Sequence, residues 1–194
     1  MITLLYPGKA KKEYQKFINY ANRGMDLENL INEANDYYLK ENQAIIYKKP
    51  TPVDIKKVTY KGKTEYIEGV LKQKSTLDYV GVYKGKYLDF DAKSTKSKTS
   101  FALSNIHNHQ IKHIESVIRH KGIGFIILRF TTLNETYLLF GEDLLSFINN
   151  NDRKSIPYEY FKEKGHLIKD TLQPQVDYLK VIEKYGGIKN EKES

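Results

Sequence analysis

The stretch "STLDYVGVYKGKYLDFDAK", residues 75–93, decides how this chain folds. It reads as a β-hairpin, with arms over residues 77–83 and 86–93 flanking Lys84-Gly85, a pair compatible with a two-residue turn. Side chains alternate along a strand. Leu88, Phe90 and Ala92 therefore share an apolar face, and Asp89, Asp91 and Lys93 share the other. On the first arm Asp78 lies with Val80 and Val82. If the turn holds two residues, Tyr83 pairs with Lys86, and counting outward sets Asp78 opposite Asp91. Directly paired residues bring their Cβ atoms to about 4.5–5.5 Å.

Bare carboxylates at that separation repel, and a cation between them reverses the sign. Carboxylates with water suit Mg²⁺ or Mn²⁺. Lys93, two residues past Asp91 on the same face, reaches the same place and can stabilise developing negative charge. Two carboxylates, a lysine and a basic surround describe phosphodiester hydrolysis. The alternative is a solvated hairpin face with an incidental ion pair. Asp89, one pleat nearer the turn, is expected to be solvated or to contact Lys86.

The chain has 194 residues and a net charge of +8. Between Lys48 and Lys98 stand 13 Lys against 6 Asp or Glu, so most of the excess is concentrated there. Such a concentration suits a polyanionic partner. There is no Cys, which excludes a disulfide scaffold, Cys-ligated zinc and a Cys nucleophile. No window approaches the roughly 20 apolar residues of a membrane span. The start has too short an apolar run for a signal peptide, and a cytoplasmic protein is expected.

Outward from the hairpin, the segment "RGMDLENLINEANDYYLKEN" is a helix, with Leu27, Leu30, Ile31, Ala34, Tyr37 and Tyr38 on one face and Asp26 as its cap. "QAIIYKK" is a short strand ended by Pro50 and Pro52. Residues 53–74 form two lysine-rich β runs with little core, read as a projecting basic arm. "SNIHNHQIKHIESVIRH" is a second helix stopped at Gly122; "IGFIILRF" is a central strand paired with "TYLLF"; helices follow at "EDLLSFINN" and "QVDYLKVIEKYGG". The order predicts an α/β protein, a mixed sheet with helices on its faces, in one domain spanning 1–194. Residues 1–20 and 187–194 are expected to be loosely ordered. His107, His109 and His113 lack the remaining ligands of a zinc site and are read as phosphate contacts or solvated.

Three segments, "NRGMDLENLINEANDYY", "IYKKPTPVDI" and "STLDYVGVYKGKYLDFDAKSTKSKTSF", resemble the RecU-type Holliday junction resolvases, as do "HNHQIKH" and "PQVDYLKVIE". The resemblance runs from about Asn22 to Tyr185. It implies a restriction-endonuclease-like fold in which Asp78 and Asp91-Ala92-Lys93 form the D…(D/E)xK motif. It further implies a homodimeric, Mg²⁺-dependent endonuclease that makes paired, symmetric nicks in four-way DNA junctions during recombination and repair. A branch-migration motor or a recombinase is an implied partner. By position, Thr76, Asp78, Asp91 and Gln110 would hold the metal, Mn²⁺ substituting for Mg²⁺, and Lys93 would stabilise the transition state. Glu28 is an accessory candidate and Arg23 a phosphate contact. The basic arm corresponds to the family's stalk, so Lys56, Lys57, Lys61 and Lys63 are candidate DNA contacts. Many relatives carry Glu where this chain has Asp91. Two rival readings are a less structure-selective phage or repair endonuclease and a junction-binding protein whose site has decayed.

Overall fold

The computed structural model describes residues 26–71 and 76–188. Arg23 lies outside them. The first helix, α1 (Leu27–Lys40), buries Leu27, Leu30, Ile31, Ala34 and Tyr38 as its periodicity predicts. Asp26 is its N-cap residue, but the Asp26 side chain makes no capping bond. Strand β1 (Ala44–Lys48) follows, then β2 (Val53–Lys61) and β3 (Thr64–Leu71), which among the described residues pair only with each other. They lie within the stretch 53–74 read as an arm, of which 72–74 fall outside the described residues, and are joined through Gly62 at a φ of 62°.

The opening hairpin is β4 (Tyr79–Tyr83) and β5 (Lys86–Thr95). Its register runs from Tyr83↔Lys86 to Tyr79↔Phe90, the pairing that the two-residue turn predicts. Lys84 and Gly85 both take positive φ, 46° and 71°. That is the signature of the primed turns whose twist matches the strands. Strand β6 (Ser100–Ala102) and a 3₁₀ turn (Leu103–Asn105) lead into helix α2 (Asn108–Arg119). Strand β7 (Ile123–Phe130) then runs parallel to β5, from Leu88↔Ile123 to Thr95↔Phe130. Parallel strands need a long crossover, and α2 supplies it. Gly122 does not act as a left-handed stop. A Cβ there would meet the Val117 Cγ1 at 2.8 Å, so a larger residue would have to push that side chain aside.

Strand β8 (Glu135–Phe140) pairs antiparallel with β7, as predicted. Helix α3 (Gly141–Asn150), strand β9 (Ser155–Pro157), helix α4 (Tyr158–Glu163), strand β10 (His166–Ile168) and helix α5 (Tyr178–Tyr185) complete the order. The main sheet runs β1-β4-β5-β7-β8-β10, and β6 with β9 makes a small second ribbon. Every residue of β7 is buried, as befits a central strand covered on both faces. One face packs α1 and α5 against Tyr79, Phe90, Phe125 and Leu138. The other packs α2, α3 and α4 against Ile126, Leu128, Phe130 and Leu139. Ile188, in the tail expected to be loose, is buried in the first of these clusters.

Candidate active site

Asp91 lies in the middle of β5 and is 1% exposed. Its Oδ1 accepts the backbone N–H of Ala92 at 3.0 Å. Its Oδ2 faces the Lys93 ammonium at 2.8 Å and accepts a bond from the Gln110 side-chain amide. Asp78, half-buried, stands just before β4 and bonds to the same carboxyl group. Burial pushes the Asp91 carboxyl upward, Lys93 opposes this, and Asp78 adds to the rise. Two carboxylates so placed need a proton or a cation between them.

Gln110 reaches the strand because α2 crosses over β5. It is buried in the first turn of that helix, and the His107 backbone N–H donates to its Oε1 at 3.0 Å. The amide therefore shows its nitrogen to Asp91. Ligation through Oε1 would require the amide to turn over and release His107. Thr76, half-buried, gives its hydroxyl weakly to the Leu77 carbonyl at 3.4 Å. Glu28 stands on the α1 side of the sheet, ion-paired with Lys48. Glu28, Asp78 and Asp91 all act electrostatically on the buried Tyr79 hydroxyl. Of the residues singled out from sequence, the structure thus gathers Asp78, Asp91, Lys93 and Gln110. On the arm, Lys57, Lys61 and Lys63 are exposed, and Lys56 lies 3.5 Å from Asp54.

Asp89 overturns its expectation. It is fully buried, not solvated, and Lys86 is not its partner. Lys49 reaches both its oxygens at 2.9 and 2.8 Å, Tyr87 donates to Oδ2 at 2.7 Å, and the His113 Nε2 lies 2.9 Å from the same oxygen. Helix α2 covers this part of β5, which removes the solvent that an exposed strand face would offer. The pairing of β1 with β4 held the missed signal. Continued one step past Lys48↔Tyr79, it sets Lys49 opposite Asp78, and the Lys49 N–H donates to the Asp78 carbonyl at 2.7 Å. His113 is therefore engaged inside the protein rather than solvated.

The protein is thus a mixed α/β sheet with helices on both faces, whose hairpin brings Asp78 to Asp91-Ala92-Lys93, the arrangement that the sequence resemblance implies. The family model described as "Recombination protein U" matches residues 22–184, and the chain belongs to this RecU family. The protein named Holliday junction resolvase RecU from Streptococcus thermophilus is 49% identical over 173 residues, covering 88% of this chain and 87% of that protein. The one of the same name from Geobacillus sp. is 52% identical over 171 residues, with coverage of 86% and 85%. Among solved structures, the Archaeoglobus fulgidus Hjc resolvase matches with a TM-score of 0.42 at 9% identity, over 69% of this chain and 91% of that one.

Proposed function

We propose that the protein is a divalent-metal-dependent endonuclease that resolves Holliday junctions by paired, symmetric nicks. Membership of the RecU family and the resolvase names of its relatives support the substrate. One observation carries the chemistry. Asp78 and Asp91 meet across the hairpin with the Lys93 ammonium 2.8 Å from Asp91.

The donor set fits a hard divalent ion. Asp78 and Asp91 offer carboxylates and Thr76 a neutral oxygen, and Gln110 would add a second if its amide turned over, a combination that favours Mg²⁺ or Mn²⁺ over zinc. Such an ion supplies Lewis acidity at the phosphate and eases the ionisation of water. The chain's own residues do the rest. Asp91, held rigid by Ala92, Lys93 and Gln110, fixes the negative charge that the ion needs. Lys93 offers its ammonium to the charge that grows on the phosphate oxygens in the transition state. The exposed lysines of the stalk, β2 and β3, meet phosphates without reading bases.

The symmetric substrate asks for two active sites, and two apolar surfaces support a homodimer. On the sheet edge, Ile45, Tyr47, Val82 and Tyr87 are exposed. On the stalk, a bulge between Ile55 and Lys57 brings Val53, Ile55, Val58 and Ile67 to one uncovered face. The decisive experiment is cleavage of a synthetic four-way junction with Mg²⁺ or Mn²⁺. The expected result is two symmetric nicks by the wild type and none by Asp78→Ala. An inert wild type, or full cleavage by Asp78→Ala, would refute the proposal. Equal cutting of linear duplex would reassign the protein as a less selective nuclease.

A further inference from the structure

The buried carboxylate of Asp89 takes no part in the chemistry above, yet three polar side chains converge on it. Its four contacts come from three segments: Tyr87 on its own strand, His113 on α2, and Lys49 at the end of β1. The spacings matter. Asp89 and Asp91 are two residues apart on one strand face. Gln110 and His113 are three apart, hence neighbours on one helix face. The two pairs make a ladder between β5 and α2, with His113 on Asp89 as one rung and Gln110 on Asp91 as the other. One rung alone would let the helix pivot about it; two fix both its slide and its rotation. Lys49 adds a third tie, because Pro50, Thr51 and Pro52 lead from it directly into the stalk.

We infer that Asp89 is a positioning residue, one that locks α2 in the register holding Gln110 at Asp91 and fastens the root of the stalk to the same strand. This rests on the nuclease reading above. A fully satisfied buried network of this kind rigidifies its surroundings, whereas an apolar filler would only occupy space.

The test compares wild type with Asp89→Asn, His113→Leu and His113→Gln, all well below their unfolding temperatures. Glu183→Gln, which removes an exposed partner of Lys84 far along the chain, serves as the control. Three quantities are read: Mn²⁺ affinity of the free protein by calorimetry, junction binding in EDTA, and kcat with KM for junction cleavage. Residues that orient metal ligands typically cost about 10- to 100-fold in affinity or activity when changed. Asp89→Asn is expected to lose that much in Mn²⁺ affinity and kcat, while junction binding in EDTA stays within about twofold. His113→Gln, whose amide can still donate to Asp89, should recover much of what His113→Leu loses. The double variant Asp89→Asn/His113→Leu should be little worse than either single one, as expected for a shared network. A folded Asp89→Asn with Mn²⁺ affinity and kcat within about twofold of wild type overturns the inference, even if it melts earlier. Should Asp89→Asn not fold, the His113 pair decides: equal losses in His113→Leu and His113→Gln overturn it. A wild type that neither binds Mn²⁺ nor cuts junctions defeats the nuclease reading itself, and this inference falls with it.

Discussion

The Lys93 ammonium is held 2.8 Å from Asp91, with its side chain only 21% exposed. On the proposed mechanism this preorganised charge acts where charge develops, not where substrate first binds. Lys93→Gln should therefore reduce junction cleavage by about 10²- to 10³-fold while leaving junction binding in EDTA nearly unchanged. Single-turnover cleavage beside a gel-shift titration would check it; equal losses in both would instead make Lys93 a binding residue. Gly81 offers a purely structural contrast. A Cβ there would sit 2.3 Å from the Ile45 carbonyl oxygen, between β4 and β1, so Gly81→Ala must spread the two strands. A loss of about 2–3 kcal/mol in urea unfolding is expected, in the range of overpacked cores. The residues of the site differ in how legible they were. Asp78, Asp91 and Lys93 followed from alternation and one turn length, both local. The partners of Asp89 did not, because Lys49 and His113 lie 40 and 24 positions away in the chain.

Elements with a full period of pattern were legible, and short ones were not. Helix α1 and the β4–β5 hairpin stood out because apolar faces and turn residues agree. Strands β6, β9 and β10 have three residues each, too few to show alternation, and they hide in a polar stretch. The parallel pairing of β5 with β7 was also silent, since nothing local specifies a partner reached through a helix. Edge strand β10 carries a testable consequence. His166 stacks on Tyr185 of α5, ring centroids 4.0 Å apart, and meets Phe140 edge-on. Burial lowers its pKa below the ordinary 6.5, since the charged ring is poorly solvated there. In the unfolded chain the ring takes up a proton at higher pH than in the fold. The unfolded state therefore binds more protons, and stability falls as pH drops through about 6.5 toward the lower folded value. His166→Phe keeps the ring contacts and removes the proton site. Thermal melts between about pH 7 and pH 5 should show a smaller drop for this variant than for wild type. Parallel curves would place the acid sensitivity elsewhere.

At the scale of the molecule, the folding core and the lysine-bearing stalk occupy separate parts of one chain. The two core clusters contain no residue of the stalk. Where the stalk departs and returns, the chain is already paired, Lys48 with Tyr79 and the Lys49 N–H with the Asp78 carbonyl. A short Gly-Ser link in place of residues 53–71 should therefore leave the melting temperature close to that of wild type. It should not leave DNA binding unchanged. Most of the chain's excess charge lies between Lys48 and Lys98, and the stalk holds Lys56, Lys57, Lys61 and Lys63 within that window. Each phosphate neutralised by a lysine releases a condensed counterion, so log Kobs against log[salt] steepens by about 0.9 per contact on duplex arms. If all four lysines meet phosphates, removing the stalk should flatten that slope by about 3 to 4 units. Junction binding measured by fluorescence anisotropy across a series of salt concentrations, in EDTA, gives the slope directly. A slope that does not change would mean that the stalk does not touch the phosphates and that the basic surface around the active site carries the binding alone. A flattened slope together with lost preference for four-way over linear DNA would identify the stalk as the part that senses the junction.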